Sequence, residues 1–167
     1  MAKEKIVSLL LGNSEERTSN IIEKLARDVC GDAAVLHIAR IPKLTDFIQR
    51  GCQEHFDLII VVVGGLKMDF RPQGSLGPIG EAAQAVSAIK KARPTASIIA
   101  FSPHGQYEPA LMEAGADHVL EIPFCCDEVK TVLQRMITLE PPVDASSPHR
   151  WTFGGELLRT WQRLVRI

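Results

Sequence analysis

Five times along the chain a short apolar, β-branched run gives way to a stretch whose apolar residues recur every three or four positions. The runs are KIVSLLLG (Lys5–Gly12), AAVLHIA (residues 33–39), DLIIVVV (57–63), ASIIAFS (96–102) and DHVLEI (117–122). Strict strand–helix alternation favours a parallel sheet with helices on both faces, because parallel neighbours need a crossover and crossovers are right-handed. The third run has no polar residue from Leu58 to Val63, as a strand covered on both sides requires.

The intervening segments carry their own punctuation. Ser14 is placed to cap the first helix, with Glu15 and Glu16 favourable in its first turn, Ile21, Ile22, Leu25 and Val29 facing inward, and Gly31 ending it. A second helix, with Leu44, Phe47 and Ile48, follows Pro42 and runs to about Gln53. Residues 64–80, GGLKMDFRPQGSLGPIG, are too long and glycine-rich for a plain connection and read as a loop. An alanine-rich third helix then turns Ile79, Ala82, Ala83, Val86 and Ile89 inward. Pro109 opens a short fourth helix that stops at Gly115; the fifth has Asp127 and Glu128 at its start and a Val129, Val132, Leu133, Met136 stripe. The fold class expected is α/β, a flavodoxin-like three-layer α/β/α arrangement with a five-stranded parallel sheet in the order 2-1-3-4-5. Residues 1–139 form that domain, 140–154 (with EPPVDASSP) a linker, and 155–167 a C-terminal amphipathic helix.

Composition narrows the function. Of 167 residues 46% are hydrophobic and 23% charged, enough for one domain with a real core. A net charge of −1 supplies no field to recruit nucleic acid or an anionic membrane, so no nucleic-acid partner is expected. No apolar run approaches the ~20 residues of a membrane span, and the cytoplasm is the default location. Cys30, Cys52, Cys125 and Cys126 form no CxxC pair and read as reduced thiols. No metal and no cofactor are expected.

LMEAGADHVLEIPFCCDEVKTVLQRM, residues 111–136, resembles the end of a response-regulator receiver domain. Gly115, Ala116, Asp117, Pro123 and Phe124 fall where that family has its acidic-glycine turn, its lysine–proline pair and the following phenylalanine. FDLIIVVV and SIIAFS resemble its third and fourth strands, and the element order matches from about residue 5 to 137. The resemblance implies two magnesium-holding acidic residues at Leu10 and Leu11, a phosphoacceptor aspartate at Val62, a hydroxyl at Ser102, a lysine at Ile122 and a switch aromatic at Val119. Only Ser102 keeps the family's chemistry. Asp57 lies at the entry end of its strand, and Asp69 lies far into the loop. Phosphoryl transfer to a carboxylate needs a nucleophilic oxygen and a hard cation in an oxygen cage, and aliphatic side chains supply neither. The resemblance therefore implies a degenerate, non-phosphorylatable receiver of bacterial two-component type. Such a protein is no enzyme and works by protein–protein interaction.

Function then falls to surfaces. The face made by the fourth helix, fifth strand and fifth helix, which in receivers meets partners or a second copy, carries Tyr107, Glu108, Met112, Glu113, His118, Glu121, Lys130 and Gln134. In the tail, Leu157, Leu158, Trp161, Leu164 and Val165 share one side of a helix, with Trp151 and Phe153 just before and Arg159, Arg163 and Arg166 opposite. That stripe suits folding back on the domain or a homodimer. A membrane surface is the use it supports least. The rival reading is a small-ligand or nucleotide sensor using the 64–80 loop, with Ser75, Gly77, Gly80, Ser102 and His104 near the ligand. A Ser102–His104 nucleophile–base pair is a third, for which the sequence signals no orienting group or oxyanion hole.

Overall fold

The computed structural model describes residues 5–68 and 77–137. Ser75, Asp69, the linker, and the tail residues Trp151, Phe153, Leu157, Leu158, Trp161 and Leu164 lie outside them. The strands β1 (Lys5–Gly12), β2 (Ala34–Ile41), β3 (Leu58–Val62), β4 (Ile98–Ser102) and β5 (His118–Glu121) form one parallel sheet in the order β2-β1-β3-β4-β5. Five helices connect or follow them: α1 (Glu16–Cys30), α2 (Leu44–Gln53), α3 (Gly77–Ala92), α4 (Glu108–Ala114) and α5 (Cys126–Met136). A short 3-10 turn, Gly105–Tyr107, leads into α4. This is the flavodoxin-like fold and strand order expected.

Alternation along the strands splits the core into two layers. Val7, Leu9, Leu11, Leu58, Ile60, Val62, Ile99 and Phe101 meet Ile22, Leu25 and Ala26 of α1 and Val129 and Leu133 of α5. Leu10, Ile59, Val61, Val63, Ile98 and Ala100 meet Phe47 of α2, Ala82, Ala85, Val86 and Ile89 of α3 and Leu111 of α4. Each such aliphatic side chain removed from water contributes ~1.5–3 kcal/mol, which is why the apolar runs decide where the strands lie. Small residues set the closest approaches. A Cβ on Gly51 would lie 2.5 Å from Ile89 Cδ1, so α2 and α3 lie as near as the glycine allows.

The AGAD motif has a structural role. Gly115 ends α4 with φ of 116°, a left-handed conformation that glycine adopts without strain. Asp117 accepts the backbone N–H of Ile98 at 2.8 Å and an ion pair from Lys90 at 3.0 Å, fastening the start of β4.

Local details depart from expectation where non-local contacts intervene. Glu15, not Ser14, caps α1, accepting the N–H groups of Arg17 and Thr18 at 2.9 and 2.7 Å. The Ser14 N–H is drawn instead to the carbonyl of Gly65, 2.6 Å away. Ile21 faces outward, and Ile22, Leu25 and Ala26 carry the buried stripe. The third helix begins at Gly77, so Gly77 and Gly80 belong to its first turn rather than to a loop. Gly77 has φ of 73°, and Pro78 brings a φ already suited to a helix start. Lys130, expected on the α4–β5–α5 face, reaches Asp28 of α1 at 3.6 Å.

Candidate functional site

In α/β sheets of this kind the reactive edge is the one at which the strands end. Here β1 ends at Leu10, Leu11 and Gly12, β3 at Val62, β4 at Ser102 and β5 at Glu121, followed by Ile122 and Pro123. Leu10 and Leu11 are fully buried and lie on opposite faces of the sheet, one in each core layer. Val62 is buried beside Phe101 of β4, its register partner, and Ile122 packs half-buried against the same layer. The Ile122–Pro123 peptide is cis. Hydrocarbon therefore occupies four of the positions singled out in the sequence.

Val119, in β5, is a fifth, half-buried against the other layer; Ser102 is the one polar position, and its hydroxyl is engaged locally. Its Oγ donates to the carbonyl of His104 at 2.9 Å and accepts the His104 N–H at 3.3 Å. The His104 ring turns away to stand edge-on to Tyr107, with centroids 5.6 Å apart. Ser102 thus meets the backbone of His104 and not its imidazole, and the pair has no nucleophile–base geometry. Gly77 and Gly80 lie at the same edge, since the start of α3 abuts the end of β3: a Cβ on Gly64 would meet Pro78 at 3.8 Å.

The sequence reading missed the polar residue that closes this edge. Gly12 pairs with Val61, so the next residue, Asn13, comes up beside Val62. Asn13 is 4% exposed, and its amide is used on both sides. Oδ1 accepts the Glu15 N–H at 3.2 Å, while Nδ2 donates to the Glu15 carbonyl at 2.9 Å and to Ser19 Oγ at 3.1 Å. Gly65 lies against it, where an added Cβ would be only 2.2 Å from Oδ1. A neutral amide with both ends bonded brings no charge to a cation. Glu15, the acid nearest in sequence, has both carboxylate oxygens on the α1 N-terminus, and those bonds, Thr18's first, hold its pKa below the ordinary value. Asp57 lies at the opposite edge, where its Oδ2 accepts the N–H and hydroxyl of Ser8 at 2.7 and 3.0 Å. Among the described residues no three His, Cys, Asp or Glu side chains cluster as metal ligands would.

The second candidate is the α4–β5–α5 face. β5 is an edge strand of four residues, with Met112 of α4 exposed to 44% beside it. Tyr107 and His118 are half-buried there, and Glu108, Glu113, Glu121 and Gln134 are exposed.

No family model and no curated relative matches the sequence. Solved structures do. The signal receiver domain of an HD domain-containing protein from Pseudomonas fluorescens Pf-5 superposes with a TM-score of 0.59 at 17% identity, covering 81% of this chain and 89% of its own. A CheY-like response regulator receiver domain protein from Methanospirillum hungatei JF-1 gives 0.56 at 14% identity, covering 79% and 97%. The receiver domain of the sensor histidine kinase PA1611 from Pseudomonas aeruginosa PAO1, with a magnesium ion coordinated in its active-site cleft, gives 0.56 at 17% identity, covering 78% and 96%. The fold of this chain is the receiver fold. Its strand-end edge nonetheless holds leucine, valine and isoleucine where the resemblance implied carboxylates and a lysine.

Proposed function

We propose that this chain is a phosphorylation-independent receiver-like module that acts by binding proteins in two-component-type signal transduction. It is not an enzyme, needs no cofactor, and works in the cytoplasm. One observation carries the reading: Leu10, Leu11 and Val62 are buried hydrocarbon at the strand ends. Magnesium takes oxygen ligands in near-octahedral array, and none of these three side chains offers one. A phosphoryl group with about 1.5 to 2 negative charges would face aliphatic surface at a cost of several kcal/mol. The edge is a filled core, and a filled core does not switch.

Binding then belongs to the α4–β5–α5 face, where Tyr107, Met112 and His118 surround an open strand edge. That face serves a signalling partner and a second copy, giving a homodimer. Incubation with acetyl phosphate and magnesium is the direct test, read by intact-protein mass. An unchanged mass is expected; one added phosphoryl group overturns the proposal.

A further inference from the structure

Among the described residues, one strip of the sheet has no helix over it. On the layer that faces α2, the far ends of β1 and β2 are covered, and Ala39 and Ile41 pack against that core. Toward the strand starts the same face is bare. Ile6 is 59% exposed and its register partner Val35 is 40% exposed, two large aliphatic side chains standing side by side in water. The next pair on that face is Ser8 and His37, with Ser8 bonded to Asp57. The exposed Asp57 carboxylate forms no ion pair with a described residue.

We propose that residues 155–167 of this chain dock on this strip as an amphipathic helix, with Leu157, Leu158, Trp161 and Leu164 against Ile6 and Val35 and an arginine of the opposite side reaching Asp57. Three observations select this occupant. First, α5 delivers the chain to the correct edge: Ile137, just after it, is buried in the layer that holds Val7 at the start of β1. Second, the reach suffices. Residues 138–154 number 17, and a chain of that length reaches roughly 20–25 Å, enough to pass under the sheet from one face to the other. Third, the chemistry is complementary. A helix of these 13 residues is about 20 Å long; its apolar stripe needs cover, and its three arginines, Arg159, Arg163 and Arg166, suit an exposed carboxylate at the margin. Two exposed aliphatics beside one acid fit such a helix better than they fit a hydrophilic ligand.

The tryptophans make the idea measurable. The chain has two, Trp151 and Trp161, both beyond residue 137, so intrinsic emission reports this segment alone. In the full-length protein the emission maximum is expected well to the short-wavelength side of the denatured position, independent of protein concentration over a hundredfold range. Ile6→Glu with Val35→Glu should move it to the denatured position while the far-UV circular dichroism of the domain persists. Leu158→Glu, which leaves the domain untouched, should do the same and stands as the test if the strand variant fails to fold. Emission unmoved by Leu158→Glu, or by a folded strand variant, overturns the proposal. So does wild-type emission already at the denatured position, or emission that shifts on dilution, which would mean docking on a second copy.

Discussion

Asn13 shows how much one buried amide can hold together. Buried at the strand ends, it ties the entry of α1 to the turn after β3 through Glu15 and Ser19 on one side and the close packing of Gly65 on the other. A buried amide loses its water on folding, so its protein partners have to be complete. Asn13→Ala leaves the Glu15 N–H without its side-chain acceptor, while the Glu15 carbonyl keeps the Ser19 N–H and hydroxyl, and should cost about 1–3 kcal/mol, read as a lower urea midpoint with an unchanged slope. Gly65→Ala approaches the same site from outside. Its methyl would land on Asn13 Oδ1, and a loss of about 1–3 kcal/mol is expected from overpacking. Because the two residues touch, the double variant should lose less than the sum, and a double-mutant cycle on the urea midpoints checks this.

The elements were legible wherever burial alone decides. β3 and β4 are buried at every position, and their unbroken apolar runs could be read directly. What the sequence hid depends on partners distant along the chain. Ser14 is a good capping residue by type, but the helix starts at Glu16, one residue too late for it, with Ser14 held to the Gly65 carbonyl through its N–H and Glu15 in the capping position. The early start of α3 turned on glycine conformation, which a count of glycines reads as loop. Leu10, Leu11 and Val62 were found through a resemblance, whereas Asn13 matched no expected chemistry and became visible only through strand register. The edge strand β2 was also hidden in part: Arg40 reaches across to α1, with Nε 2.9 Å from Glu23 Oε2 and Nη2 2.8 Å from Asn20 Oδ1, while Arg27 pairs with the other Glu23 oxygen at 2.8 Å. Hydrogen bonds from Arg27 first, then Arg40, hold the Glu23 carboxyl below its ordinary value of 4.5. A lowered folded pKa stabilises above the unfolded pKa and loses that contribution as pH falls through the folded one. Glu23→Gln should therefore cost about 0.5–1 kcal/mol at neutral pH. The gap to wild type should close as pH falls below about 4.5, and thermal melts across that range measure it.

At the largest scale, the described residues form a receiver fold in which Leu10, Leu11 and Val62, at the strand ends, are part of the core. A ligand stabilises a fold only in proportion to its binding of the native state. Millimolar magnesium, or its removal by chelation, should accordingly leave the melting temperature where it was; a rise with magnesium would reveal oxygen ligands at that edge. The same sheet has another border, the outer side of β2, eight residues long and, among the described residues, bonded to β1 alone. An open strand of that length is a template for fibrillar growth, and natural sheets guard such borders with charge. Here the guard is Arg40, held to Glu23 and Asn20. Glu23→Gln, which frees that arginine, is therefore expected to change how readily a further strand adds along this side as well as how firmly β2 is fastened to its helix.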